Sequence, residues 1–374
     1  MKKTLFLFTI LVGFTTILNA QLVNQQQSQQ RKIQVAILFD TSSSMNGLLS
    51  QAKSRIWNIV NTLTSFKYNG QTPSFEFALY DYGNSALVAK DNYVRCISPF
   101  TTDLDDISAK LFGLTTSGGE EYCAAVIQTA LDDLTWSNDN RDMKLIYIAG
   151  NEMFNQGPIN YKVSLKNAVG SGVFVNTIYC GAYKEGIREL WYEGSELGSG
   201  KYFNIDQNEK IQFIATPYDD SIKVLNDELN KTYLGYGAEG KRKKSEQSLQ
   251  DENASSVASE SAVERTMSKS SAAYVNTSWD LVDYSLSEPK ALKEMKDSDL
   301  PVELRGKTLE EKEKIIENMR NERARIQSQV GRLAAKRQDF IDNELKNSVG
   351  EDDFGKAVAK SLIELGAKMN YTNK

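Results

Sequence analysis

Val35-Ala36-Ile37-Leu38-Phe39-Asp40-Thr41-Ser42-Ser43-Ser44-Met45 is the stretch on which the reading of this chain turns. Its first five residues form an apolar run of buried-strand length. A carboxylate and two hydroxyls then alternate at the end of that strand. Alternation aims Asp40, Ser42 and Ser44 at one point, while Thr41 and Ser43 face away. Ligand sites of open α/β sheets form where strands end and helices begin. Oxygen-only ligands suit a hard divalent cation: Mg²⁺ first, with Mn²⁺ or Ca²⁺ as alternatives. The same residues also suit a helix N-cap before the segment that follows Met45. The motif in isolation leaves both readings open.

Outward from the motif, Leu49, Ile56, Val60 and Leu63 recur at helical spacing, and Phe75 to Tyr80 alternates as a strand does. Gly83-Asn84-Ser85 marks a turn, and Tyr93 to Ile97 a further strand. Val126, Ile127, Ala130, Leu131 and Leu134 mark a second helix. Three more buried strands are expected at Lys144–Ala149, Phe174–Tyr179 and Lys201–Ile205. Strands that alternate with helices imply a doubly wound, mostly parallel sheet.

With strand, D-x-S-x-S and helix in that order, the segment from about Lys32 to about Thr232 resembles a von Willebrand factor type A domain. Its motif resembles the metal-ion-dependent adhesion site of that family. The resemblance implies that two further loops complete the site. One usually offers a threonine at a helix start after a Gly-Gly pair. Here Gly118-Gly119 is followed by Glu120-Glu121, as in the integrin β-subunit variant, where a glutamate coordinates the ion. By that match Glu121 is the first choice and Glu120 the second. Carboxylates at a helix start are also favourable without any metal.

The other loop normally reads Thr-Asp-Gly. Here it reads Ala149-Gly150-Asn151, so Gly150 stands where the resemblance expects aspartate, and Asn151 or Glu152 would have to compensate. The implied ligand set is Asp40, Ser42, Ser44 and Glu121, with Glu120 and Asn151 as further candidates. One coordination position would stay open for an aspartate or glutamate of a protein partner. Gly119–Cys123, Ile178–Gly181, Ile214–Asp220 and Trp279–Asp283 resemble a bacterial branch of exported type A proteins with a helical C-terminal region. That likeness implies architecture only.

Composition narrows the rest. The 374-residue chain has no histidine, which excludes Ser-His-Asp and Cys-His catalysis and His-ligated zinc. A net charge of -5 gives no basic footprint for nucleic acid. A phosphate-binding loop of the Walker type is missing. An enzyme is therefore not expected; metal-assisted hydrolysis with Glu121 or Glu152 as base is the distant third reading.

Residues 1–20 read as a secretory signal, with Met1-Lys2-Lys3 before an apolar stretch and Asn19-Ala20 at its end. Gln21, not cysteine, follows Ala20, so the expectation is an exported periplasmic or secreted protein, not a lipoprotein, with no later transmembrane segment. Residues 21–31 read as a flexible leader and 32–232 as the type A domain. Residues 233–298 read as a linker or polar helix, and 299–374 as a helical, partly coiled-coil region.

A long helix is expected from Pro301 to Leu345, with Met319, Ile326, Leu333 and Phe340 as a heptad stripe interrupted at Arg323 and Arg337 in the companion seam. Its partner is either the same chain or a second copy, which would make a homo-oligomer. A last short helix is expected from about Phe354 to Met369. Of the three cysteines, Cys123 and Cys180 are expected to lie near each other with Cys96 apart; a disulfide between the first two and three unpaired buried thiols both stay open.

The function expected first is a cation-dependent, adhesion-type binding module. The second is an ion-free scaffold in a cell-envelope assembly driven by the C-terminal helices.

Overall fold

The apolar run of β1 (Lys32–Asp40) supplies both cores of the protein. Ile33, Val35, Ile37 and Phe39 enter one core; Ala36 and Leu38 enter the other. A strand buried on both faces belongs in the middle of a parallel sheet covered by helices on each side. The computed structural model, which describes residues 30–206, 214–347 and 354–373, places it there.

After β1 come α1 (Leu48–Thr64), β2 (Phe66–Tyr68), β3 (Ser74–Tyr82), β4 (Val94–Thr101), α2 (Leu104–Phe112) and α3 (Cys123–Asp133). Then follow β5 (Met143–Gly150), α4 (Tyr161–Gly170), β6 (Val173–Tyr179), α5 (Tyr183–Arg188), α6 (Trp191–Leu197) and β7 (Ser199–Asn204). The sheet order is β4-β3-β1-β5-β6-β7, and only β4 runs antiparallel, against β3. The doubly wound, mostly parallel sheet is thus the observed fold. The chain leaves β1 toward β3 on one side and reaches β5 on the other. Asp40, the last residue of β1, therefore stands at the topological switch point.

The rest of the described chain is helical: α7 (Asp219–Lys231), α8 (Gly237–Val257), α9 (Ser259–Lys269), α10 (Leu281–Ser287), α11 (Ala291–Glu294), α12 (Leu309–Asn347) and α13 (Phe354–Lys368). A final strand, β8 (Tyr371–Asn373), pairs with β2. These helices extend the first core: Val263, Trp279, Ile326, Val330, Val358 and Leu362 join it together with β1 and β5 residues. Residues 237–257 and 259–269 are thus helices packed on the sheet domain. Their polarity conceals a buried network. Arg265 bonds Asp105 and Asp251 at 2.7 Å each, and the fully buried Lys269 bonds Asp251 at 2.8 Å.

The long helix begins at Leu309, not Pro301. Residues 302–304 form a separate 3₁₀ turn, and Thr308 with Glu311 forms a capping box: Thr308 N donates to Glu311 Oε2 at 2.8 Å. The seam is also read differently by the fold. Ile316, Arg323, Ile326, Val330 and Arg337 are buried, whereas Met319, Leu333 and Phe340 are half-buried.

The two arginines do not interrupt the seam; they anchor it within the chain. Arg323 bonds Asp280 at 2.8 Å and Asp283 at 2.6 Å, and its guanidinium lies 4.0 Å from the centre of the Tyr233 ring. Arg337 bonds Asp219 at 3.0 Å and Glu264 at 2.8 Å. The partners of α12 thus include α7, α9, α10 and α11 of the same chain. Among the described residues no helix is long and apolar enough to cross a membrane. The signal and most of the leader lie outside the described residues.

Candidate metal centre

Asp40 is fully buried. Its Oδ1 accepts the Ser42 backbone N–H at 2.7 Å, which turns the chain back over the strand end. Three backbone bonds knit this turn to its neighbours: Thr41 N to Tyr82 O at 2.9 Å, Ser43 N to Gly118 O at 2.6 Å, and Ser117 N to Thr41 O at 3.0 Å. The motif is therefore more than a helix cap. Ser42, at the cap position of the following 3₁₀ turn, makes no side-chain cap bond. Its hydroxyl lies 2.8 Å from that of Ser44, which donates to Asn151 Oδ1 at 3.0 Å.

Glu121 joins this group and Glu120 does not. Glu121 is buried, whereas Glu120 is exposed and accepts a hydrogen bond from the Tyr122 hydroxyl at 2.8 Å. Gly83, at φ +78°, lies between the two buried acids. A Cβ there would stand 2.9 Å from Asp40 Oδ1 and 3.0 Å from Glu121 Cγ. Only glycine admits both that backbone conformation and that approach.

The electrostatics follow from this crowding. Burial pushes the Asp40 carboxyl up to about 7; Ser42 opposes the shift, and Glu121 and Glu152 add to it. Burial also raises Glu121, again with Glu152 adding repulsion. Asp40 Oδ2 is buried without a hydrogen-bond partner among the described atoms. An orphaned carboxylate oxygen beside a second buried carboxylate is a site short of positive charge. The donor set is all oxygen, as a hard divalent cation requires. Among the described residues no group of three or more His, Cys, Asp or Glu side chains is gathered to hold a metal ion. The Asp40 group offers two carboxylates and two hydroxyls in their place.

Gly150 has a physical explanation that sequence reasoning missed. A Cβ at this position would lie 2.6 Å from the Tyr82 hydroxyl and 3.0 Å from the Trp191 ring. Tyr82 is buried, and its hydroxyl donates to Ala149 O at 3.1 Å. It fills the space that a side chain at position 150 would need. The only signal in the sequence was the unusual Gly150 itself; its partner, far away in the chain, is set by the pairing of β3 with β1 and β1 with β5. Asn151 is held by Ser44, and the Glu152 carbonyl accepts the Trp191 indole N–H at 2.7 Å.

Strand order, the antiparallel edge strand and the placement of the D-x-S-x-S turn at the switch point agree with one architecture. The fold is that of a von Willebrand factor type A domain. No protein-family model matches the sequence, and no curated protein does. Solved structures of type A domains are similar to it. The SpRpn10 VWA domain is 15% identical with a TM-score of 0.36, over 49% of this chain and 99% of that one. Proximal thread matrix protein 1 from the mussel byssus, solved with a zinc-occupied MIDAS motif, is 14% identical with a TM-score of 0.35, over 48% of this chain and 43% of that one. The conserved hypothetical protein BatB from Bacteroides thetaiotaomicron is 16% identical with a TM-score of 0.34, over 46% of this chain and 90% of that one.

The cysteines of the type A domain are all free: Cys96 exposed on β4, Cys123 and Cys180 buried. Cys123 Sγ lies 3.6 Å from the Tyr82 hydroxyl, and Cys180 is also close enough to Tyr82 to raise its pKa. Cys123 and Cys180 thus both act on the buried Tyr82 hydroxyl, and none of the three cysteines forms a disulfide.

Proposed function

We propose that this protein is an exported, divalent-cation-dependent protein-binding module. Asp40, Ser42, Ser44 and Glu121 would hold the cation, with Mg²⁺ the first choice. With the ion bound, the site would offer an open position to an aspartate or glutamate of the partner. The observation that carries the reading is the orphaned Asp40 Oδ2, buried beside Glu121 at the switch point of the sheet. Asn151 serves to orient Ser44, and Glu120 stays on the rim. No catalytic role is assigned. Export rests on the signal-like residues 1–20.

The second reading, an ion-free scaffold in an envelope assembly, draws on the Tyr82 hydroxyl beside Gly150, which leaves no room for a carboxylate at position 150. Thermal unfolding separates the two. A ligand that binds only the folded state raises its stability. Mg²⁺ or Mn²⁺ should raise the midpoint over that in EDTA, with monovalent salt held constant. An unchanged midpoint at millimolar ion selects the scaffold.

A further inference from the structure

The loops around the candidate centre have a charge imbalance that bears on the partner. This inference rests on the binding-module reading and deepens it. The turn after β1, the loop before α3, the loop after β5 and the segment from β6 to α6 all open at the same end of the sheet. With the end of β1 they carry Asp40, Glu120, Glu121, Glu152, Glu185 and Glu189, against Lys184 and Arg188, an excess of four negative charges. The β3–β4 loop adds Lys90 and Asp91, which cancel.

The loops form one connected surface. Ser44 bonds Asn151 at 3.0 Å, the Glu152 carbonyl accepts from Trp191 at 2.7 Å, and Phe154 N donates to the Glu189 carbonyl at 2.9 Å. The buried, unpartnered Asp40 Oδ2 is the independent sign that this face receives a ligand. Large apolar side chains stand exposed on the same loops: Met153 at 42%, Tyr183 at 49% and Ile187 at 43%.

We propose that the partner is a protein segment whose single metal-directed carboxylate is flanked by lysine or arginine and by a bulky apolar side chain. One divalent cation would neutralise only half of the excess. The rim would still repel a segment with several carboxylates and attract one whose neighbours are cations. Exposed Tyr and Met are the kinds of side chain that anchor interfaces.

The test uses the full chain with three short blocked peptides, each with one leucine. The first has a central aspartate flanked by lysines, the second an aspartate flanked by glutamates, and the third an asparagine flanked by lysines. Affinity is read by fluorescence anisotropy in Mg²⁺ and in EDTA, beside the ion-induced thermal shift.

The first peptide should bind at least tenfold more tightly than the second, and the preference should shrink as salt rises. Glu185→Lys with Glu189→Lys should erase the preference while leaving the thermal shift by Mg²⁺ unchanged. Equal affinities, a preference unmoved by the double reversal, or no binding of the first peptide at millimolar concentration would overturn the proposal. If the first and third peptides bind equally with or without EDTA, and Mg²⁺ gives no thermal shift, the ion reading fails while the preference for a basic segment stands.

Discussion

Asp40→Asn is the most informative single change. It keeps the shape and the acceptor for Ser42 N–H while removing the charge. The folded carboxyl is raised from 3.8 to about 7. The folded state therefore binds more protons than the unfolded chain between those values, and stability falls as pH rises through that window. Each unit is worth 1.36 kcal/mol, so the full cost above pH 7 is about 4 kcal/mol from this residue.

In EDTA, wild type should lose a few kcal/mol between pH 4 and pH 8 that the Asn variant retains. Adding Mg²⁺ or Mn²⁺ at pH 8 should close most of that gap: at a hundredfold excess over Kd the wild type gains about 2.7 kcal/mol and the variant gains nothing. The assay is urea unfolding at the two pH values, with and without the ion. Parallel pH curves for the two proteins would refute the buried-charge argument. An undiminished ion effect in the variant would remove Asp40 from the site.

Four other outcomes follow from the geometry. Glu121→Gln should weaken Mn²⁺ binding in calorimetric titration far more than Glu120→Gln, since only Glu121 lies beside Asp40; equal losses would refute this placement. Gly150→Ala should cost about 1–3 kcal/mol by overpacking, most of it recovered in a Tyr82→Phe background, and no recovery would clear Tyr82 as the obstacle. Arg323→Ala should destabilise by about 3–5 kcal/mol in urea, because Asp280 is left buried without its cation; a loss under about 1 kcal/mol would show that the pair is solvated. Ile326→Asp with Leu333→Asp should reduce the helicity of the monomer with no change of mass in sedimentation, whereas dissociation of a dimer would place the partner of α12 in another chain.

The sequence alone determined the sheet. An apolar run such as Val35–Phe39 fits a strand buried on both faces, and the alternation of such runs with helical segments places it and β3, β5 and β6 in a mostly parallel sheet. It also determined the local half of the site, because alternation along one strand end is a local property: Asp40, Ser42 and Ser44 follow from it. What only the tertiary structure decided depends on residues brought together from far apart in the chain. Glu121 was separated from Glu120 by the loop before α3, which buries Glu121 against Gly83 and leaves Glu120 exposed. The vacancy at Gly150 was explained by Tyr82 from another strand.

Arg323 and Arg337 looked like breaks in a heptad because a periodicity weighs each residue by its own hydropathy. Their burial depends on Asp280, Asp283, Asp219 and Glu264, and an ion pair becomes visible only when both partners are placed. The polar segment of α8 and α9 stayed open between linker and helix for the same reason. Asp105 on the sheet domain is the counter-charge that lets Arg265 enter the core.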